Sequence, residues 1–206
     1  DGDLALRVPN LVMRGLYVGD DHETFLQAAA LSQAVNLTLV DEAPDRVVAY
    51  LDPHEFKSTW LGNKAIYRTR MLIADDGELL ILAPGVHTFG EDPEIDRLIR
   101  RYGYKGTPNT LRQVADNEEL QDNLSAAAHL IHGSSEGRFR VVLATDPENL
   151  SREEVESVGF EWRDVHDALA EIDFASLEEG PQDDGFYYIS NPALGLWAER
   201  SKFQSV

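Results

Sequence analysis

ELLILAPGVHTFGEDPEIDRLIRRYG, residues 78–103, decides the fold class. After Glu78 it opens with an apolar run of strand length, closed by Pro84-Gly85. Asp92-Pro93 then sets a helix N-cap before a proline at the first helical position, where a missing N–H costs nothing. DPEIDRLIRRYG carries apolar residues at helical spacing as far as Gly103, a stop signal. A strand without polar alternation is buried on both faces, and with a helix following it this is the repeating half of a parallel α/β sheet.

The same pattern extends outward in both directions. RVVAYL (46–51) and FRVVLA (139–144) are strands by length and β-branched content. Between them, Glu55 to Ile73 reads as one long helix, and Leu111 to His132 as a helical stretch with one break, entered through Thr107-Pro108. Gly133 is its expected C-cap. SREE (151–154) is a capping box, in which Ser151 and Glu154 satisfy each other's free amides. A final helix is expected from about Asp164 to Ile172. These alternations predict an α/β three-layer sandwich, with a mostly parallel, Rossmann-like sheet and helices on both faces. Near the N-terminus, extended segments over 4–18 precede a helix capped by Asp20 or Asp21. At Ser176 the composition changes to the acidic SLEEGPQDD. The expected division is therefore an α/β domain over 1–175, then a linker and C-terminal arm over 176–206, whose GFYYISNPALGLWAERSKF reads as a hairpin or a covering arm.

Composition excludes several function classes. Thirty-seven acidic against eighteen basic residues leave a net charge of −19 over 206 residues, which repels phosphate backbones and anionic lipid. Nucleic acid and membranes are not expected partners. The acidic excess is spread along the chain, as on a strongly solvated or salt-adapted surface. There is no cysteine, so disulfides and thiolate chemistry are absent, and a cytoplasmic location is the default expectation.

Three places carry candidate chemistry. On a helix over 55–73, Trp60, Lys64 and Arg68 fall at i, i+4 and i+8, with Asn63 and Arg70 on the adjoining face. Cations gathered on one face of so acidic a chain suit a carboxylate or phosphate, although pairing with nearby acids explains them at least as well. In the loop after the second strand, His87 and Glu91 lie where open α/β sheets bind ligands, at the carboxyl edge. The third place is NLSAAAHLIHGSSEGR (123–138), where His129 and His132 share a face, without a third metal ligand at motif spacing. Histidines in a last helical turn complement the helix dipole, and GSSEG follows a helix instead of opening one, the wrong polarity for an anion site. A helix between parallel strands ends at the amino edge, so only Asn123 and Ser125, in its first turn, point toward a ligand.

FKSTWLGNKAIYRTRM, ELLILAPGVHTFGEDPEIDRLIRRYGYKGTP and NLSAAAHLIHGSSEGRF resemble the C-terminal half of the lactate racemase family, which uses a nickel-pincer nucleotide; the similarity runs from about Val18 to Ile172. The resemblance implies two α/β domains with the active site between them. It also implies racemisation or epimerisation of a 2-hydroxy acid by hydride transfer to the cofactor and back. In that family the acid/base histidines, the cofactor-tethering lysine and the nickel-bound histidine belong to the N-terminal domain, and nothing in this sequence matches those motifs. The implied partners are thus a missing N-terminal catalytic domain and a small anionic hydroxy acid. No catalytic or metal-binding residue is implied here, and no cofactor is held by this chain alone. The family's substrate-holding positions fall on Asn63 and Lys64, with Arg68 close by, and later near Leu124 and Ser125. They depart from the lactate racemase pattern of tyrosine, glutamine and lysine, and a larger or more polar acid, such as a sugar acid, fits the change. The expected substrate-binding set is Asn63, Lys64, Arg68, His87, Glu91 and Ser125. The alternative expectation is a non-catalytic ligand-binding or interaction module.

Overall fold

The apolar run at 78–83 lies inside a six-stranded sheet. The computed structural model describes residues 12–174 and 176–202. Its helices are α1 (His22–Asn36), α2 (Thr59–Gly62), α3 (Lys64–Tyr67), α4 (Pro93–Tyr102), α5 (Thr107–Asp116), α6 (Glu118–Gln121), α7 (Leu124–His132), α8 (Arg152–Ser157) and α9 (Val165–Ala170). The strands are β1 (Leu37–Val40), β2 (Arg46–Tyr50), β3 (Glu78–Ala83), β4 (Arg140–Thr145), β5 (Glu161–Asp164), β6 (Gly180–Pro181), β7 (Tyr187–Ile189) and β8 (Leu196–Glu199). The main sheet runs β5-β4-β3-β2-β7-β6, parallel except for β6, and β1 pairs with β8 apart from it. The fold is the expected α/β sandwich.

Register explains why the strands are apolar throughout. Ala49 lies opposite Ile81 and Ile189, and Ile81 opposite Leu143, while Val48 lies opposite Leu80 and Tyr188, and Leu80 opposite Val142. Successive side chains point to opposite faces. The first row packs under Phe56, Ile66, Leu98, Leu130 and Val155. The second packs under Val165 and Ala168 of α9, with Phe174 and Leu177 beyond it. Each Leu or Ile buried in this way contributes roughly 1.5–3 kcal/mol.

Local signals terminate the helices as the residues require. The Asp92 carboxylate accepts from the Glu94 and Ile95 amides at 2.9 Å, and Gly103 closes α4 at φ 66°. The capping box of α8 is complete, and Asp21 caps α1. No described helix is long and apolar enough to cross a membrane.

By compactness the chain divides between Leu37 and Thr38. In the first unit, α1 has no buried residue. From Thr24 to Val40 the sequence contains no charged side chain. The part of the expected extended segment before residue 12 lies outside the described residues.

Three expectations are corrected. The helix over 55–73 is instead two single turns, α2 and α3, hinged at Asn63. The first turn is pinned from outside, because the Thr59 and Trp60 amides donate to the Thr88 and Phe89 carbonyls at 3.1 and 2.9 Å, and Gly62 offers little helical propensity to carry the turn onward. Residues 107–132 break twice, giving α5, α6 and α7. Residues 161–164, not expected as a strand, form edge strand β5. The C-terminal stretch also enters the sheet: Tyr187, Tyr188 and Ile189 are buried beside β2, and Pro181 and Gly180 pair back antiparallel.

Candidate functional site at the carboxyl edge of the sheet

Five parallel strands deliver their following residues to one edge: 51–57 after β2, 84–91 after β3, 146–149 after β4, 165–166 after β5 and 190–191 after β7. The chain leaves β2 toward β3 on one side and reaches β7 on the other only after α9 crosses the opposite face. This reversal of strand order is where open α/β sheets form a ligand crevice. The Asn191 amide donates to Glu55 across it at 2.9 Å.

One carboxylate shapes the rim. Asp96 Oδ1 accepts from the Thr88 hydroxyl and the Phe89 amide at 2.7 Å and from the Gly90 amide at 3.1 Å, while Oδ2 takes Arg100 Nε at 2.6 Å. Burial acts to raise its pKa, yet these donors outweigh it and hold Asp96 below the usual carboxylate range. Gly90 is required there, since a Cβ would lie 2.1 Å from the Asp96 nitrogen. The loop so fixed carries the first turn of α2. Gly85 packs against Pro53, where a Cβ would come within 2.6 Å, so the β2 and β3 loops form one platform.

The expected site residues separate on this frame. His87 is exposed on the platform, with Nδ1–H donating to the Gly85 carbonyl at 3.1 Å. Glu91 and Ser125 are exposed, Ser125 in the first turn of α7, which Asn123 caps. Lys64 is half-buried, and among the described residues its ammonium has no ion pair. Asn63 does not join them. It is 1% exposed and its amide lies 3.3 Å from His129 Nε2. Arg68 is also committed, donating to the Ala193 and Gly195 carbonyls at 2.7 and 3.1 Å. The expected shared face of Trp60, Lys64 and Arg68 therefore does not form. Trp60, Asn63, Tyr67 and Arg70 instead turn toward α7 and the turn after it.

There the two histidines have structural partners. His129 lies 2.9 Å from the Tyr104 hydroxyl, itself 3.0 Å from Thr59 Oγ1, and Tyr67 contacts His132 at 5.4 Å between centroids. Burial, helped by His132, pushes the His129 pKa down to about 3, so the ring is neutral and not the dipole-complementing cation expected. Burial likewise raises the Tyr104 hydroxyl, more than its hydrogen bonds to Thr59 and Asn63 lower it. GSSEG borders a cavity of about 480 Å³ with Lys105, Asn109 and Arg112 at the amino edge. The α5 terminus beside it is already filled, since the Thr107 amide and hydroxyl donate to Glu136 at 3.0 and 2.8 Å.

Sequence reasoning missed Glu55, Lys57 and Asn191 at the crevice. A three-residue strand gave no periodicity by which β7 and its loop could be placed. Among the described residues, no group of three His, Asp or Glu side chains is placed to hold a metal ion.

These features define a parallel α/β domain whose strand order reverses between β2 and β7, which makes its carboxyl edge the candidate site. Its arrangement is lactate-racemase-like: the lactate racemase apoprotein from Thermoanaerobacterium thermosaccharolyticum matches 86% of the chain with a TM-score of 0.59 at 13% identity. A crystal structure of a Thermotoga maritima protein matches 86% of the chain at TM-score 0.64 and 19% identity. The chain spans 41% and 42% of the length of these two proteins, respectively. At these identities the likeness concerns the fold. No protein-family model and no curated protein sequence matches the chain.

Proposed function

We propose that this chain is the substrate-cleft domain of a lactate-racemase-like isomerase. That enzyme racemises or epimerises a 2-hydroxy acid by hydride transfer to a nickel-pincer nucleotide, and its catalytic histidines and cofactor tether reside in an N-terminal domain. The observation that carries the reading is the fold likeness to lactate racemase apoprotein over 86% of the chain. A second observation agrees with a neighbouring domain: Val12, Met13, Leu16, Val18, Phe25 and Leu26, all before Thr38, are exposed, an apolar surface of the kind partners cover.

In this reading the N-terminal domain holds the cofactor, as in the family the sequence resembles. This chain's part is to hold and orient the acid. Lys64 adds positive charge to the cleft, and His87, Glu91 and Ser125 line the rim. Asn63 and Arg68 leave the expected set because His129 and the 193–195 backbone already occupy them. Orientation of this kind is worth up to ~7–11 kcal/mol of a barrier.

The test is an assay of the longer polypeptide carrying this chain for bound nickel and for loss of optical rotation of a 2-hydroxy acid. Both are expected there, and neither in the isolated chain. Racemisation by the purified chain alone overturns the reading.

A further inference from the structure

On the platform between β2 and β3, the His87 amide donates to the Lys57 carbonyl at 3.0 Å, beside a parallel bridge between Ser58 and Thr88. Strand alternation turns Ser58 inward, where it is buried, and leaves its neighbour Lys57 exposed, as His87 is exposed beside Thr88. The two side chains thus rise from adjacent backbone at the carboxyl edge, next to the switch point. Neither meets a carboxylate among the described residues, although acids outnumber basic residues two to one in this chain. The His87 ring is also oriented. A carbonyl only accepts, so Nδ1 carries the proton given to Gly85, and in the neutral ring Nε2 is left as a free acceptor.

We propose that Lys57 and His87 form a binding site for a small 2-hydroxy carboxylate, with the Lys57 ammonium on the carboxylate and His87 Nε2 accepting the hydroxyl proton. The choice of a hydroxy acid rests on the function proposed above; the cationic and acceptor pair does not. The backbone carrying His87 is preorganised: Gly85 is wedged against Pro53, and Thr88, Phe89 and Gly90 are tied to Asp96, so the ordering left to a ligand is that of the Lys57 side chain. An ammonium on a carboxylate supplies the charge-assisted bond, and the Nε2 acceptor distinguishes an acid bearing a hydroxyl from one without it.

Titration of the isolated chain with L-lactate and with propionate, followed by amide and imidazole chemical shifts, tests this. Saturable shifts at Lys57 and His87 are expected for both, with tighter binding of lactate. Lys57→Ala weakens both ligands about tenfold or more. His87→Phe reduces lactate to the affinity of propionate and leaves propionate unchanged. Unaltered binding in Lys57→Ala, equal affinity for the two acids, or no saturable shift at these residues overturns the site. The parent reading fails separately, if the longer polypeptide racemises no hydroxy acid. If it does racemise one, and Lys57→Ala leaves KM unchanged, the site alone is overturned.

Discussion

The rings of Trp60 and His129 pack with their centroids 4.6 Å apart and their planes tilted by 33°, joining the hinged segment after β2 to the last turn of α7. Through this contact the stretch at 123–138 becomes a support for the candidate site and not part of it. Thr59, one residue before Trp60, closes the link by approaching Tyr104 and donating to the Phe89 carbonyl at 2.9 Å.

Acid should loosen this support. The His129 pKa falls from 6.5 to about 3 on folding, so between those values the unfolded chain binds the extra proton and folding stability declines as pH falls. The expected loss approaches about 1.4 kcal/mol per pH unit in that window and vanishes above it. Denaturant midpoints of the wild type and His129→Gln across the window measure it; equal slopes for the two proteins would count against a neutral buried ring.

Gly133 should tolerate no side chain. It has φ −80°, so conformation does not demand glycine, but a Cβ would lie 2.3 Å from Asn63 Nδ2 and 2.4 Å from Tyr104 Cε1. Overpacking there is expected to cost ~1–3 kcal/mol in Gly133→Ala, seen as a lower thermal midpoint. An unchanged midpoint would mean the two neighbours yield freely.

Asp96 should matter more than its surface position suggests. Asp96→Ala leaves the Phe89 and Gly90 amides and Arg100 Nε without their acceptor, although Arg100 keeps Glu154 at 2.8 Å, with an expected cost on the order of 3 kcal/mol. Asp96→Asn keeps an oxygen for the amides and loses the charge, so a smaller loss is expected. Because its folded pKa is lowered, the charge stabilises above the unfolded value of 3.8 and that contribution disappears as pH falls through the folded value. Thermal melts of both variants at neutral pH check the order.

Arg68 should behave as a structural clamp. Arg68→Ala frees the Ala193 and Gly195 carbonyls and is expected to expose residues 193–199 to limited proteolysis with little change at His87. Loss of lactate binding with the C-terminal stretch still protected would return Arg68 to the ligand.

The sequence by itself determined the βα rhythm and its punctuation. Apolar runs at 46–51, 78–83 and 139–144, the Asp92-Pro93 start, the Gly103 stop and the Ser151–Glu154 box are local signals, settled by burial, caps and φ within a few residues. His87, Glu91 and Ser125 were legible as edge residues for the same reason, since strand direction fixes the edge at which each succeeding loop emerges. Tertiary structure decided the rest. Only packing could show that Asn63 turns inward to His129, that Arg68 serves carbonyls 125 and 127 residues away, and that Tyr187–Ile189 enter the sheet beside β2. Helical spacing assumes an unbroken helix, and the bonds from Thr59 and Trp60 to the β3 loop, which break it, join residues about thirty positions apart. The same long-range pairing placed Lys57 beside His87, a juxtaposition that no spacing along the chain encodes.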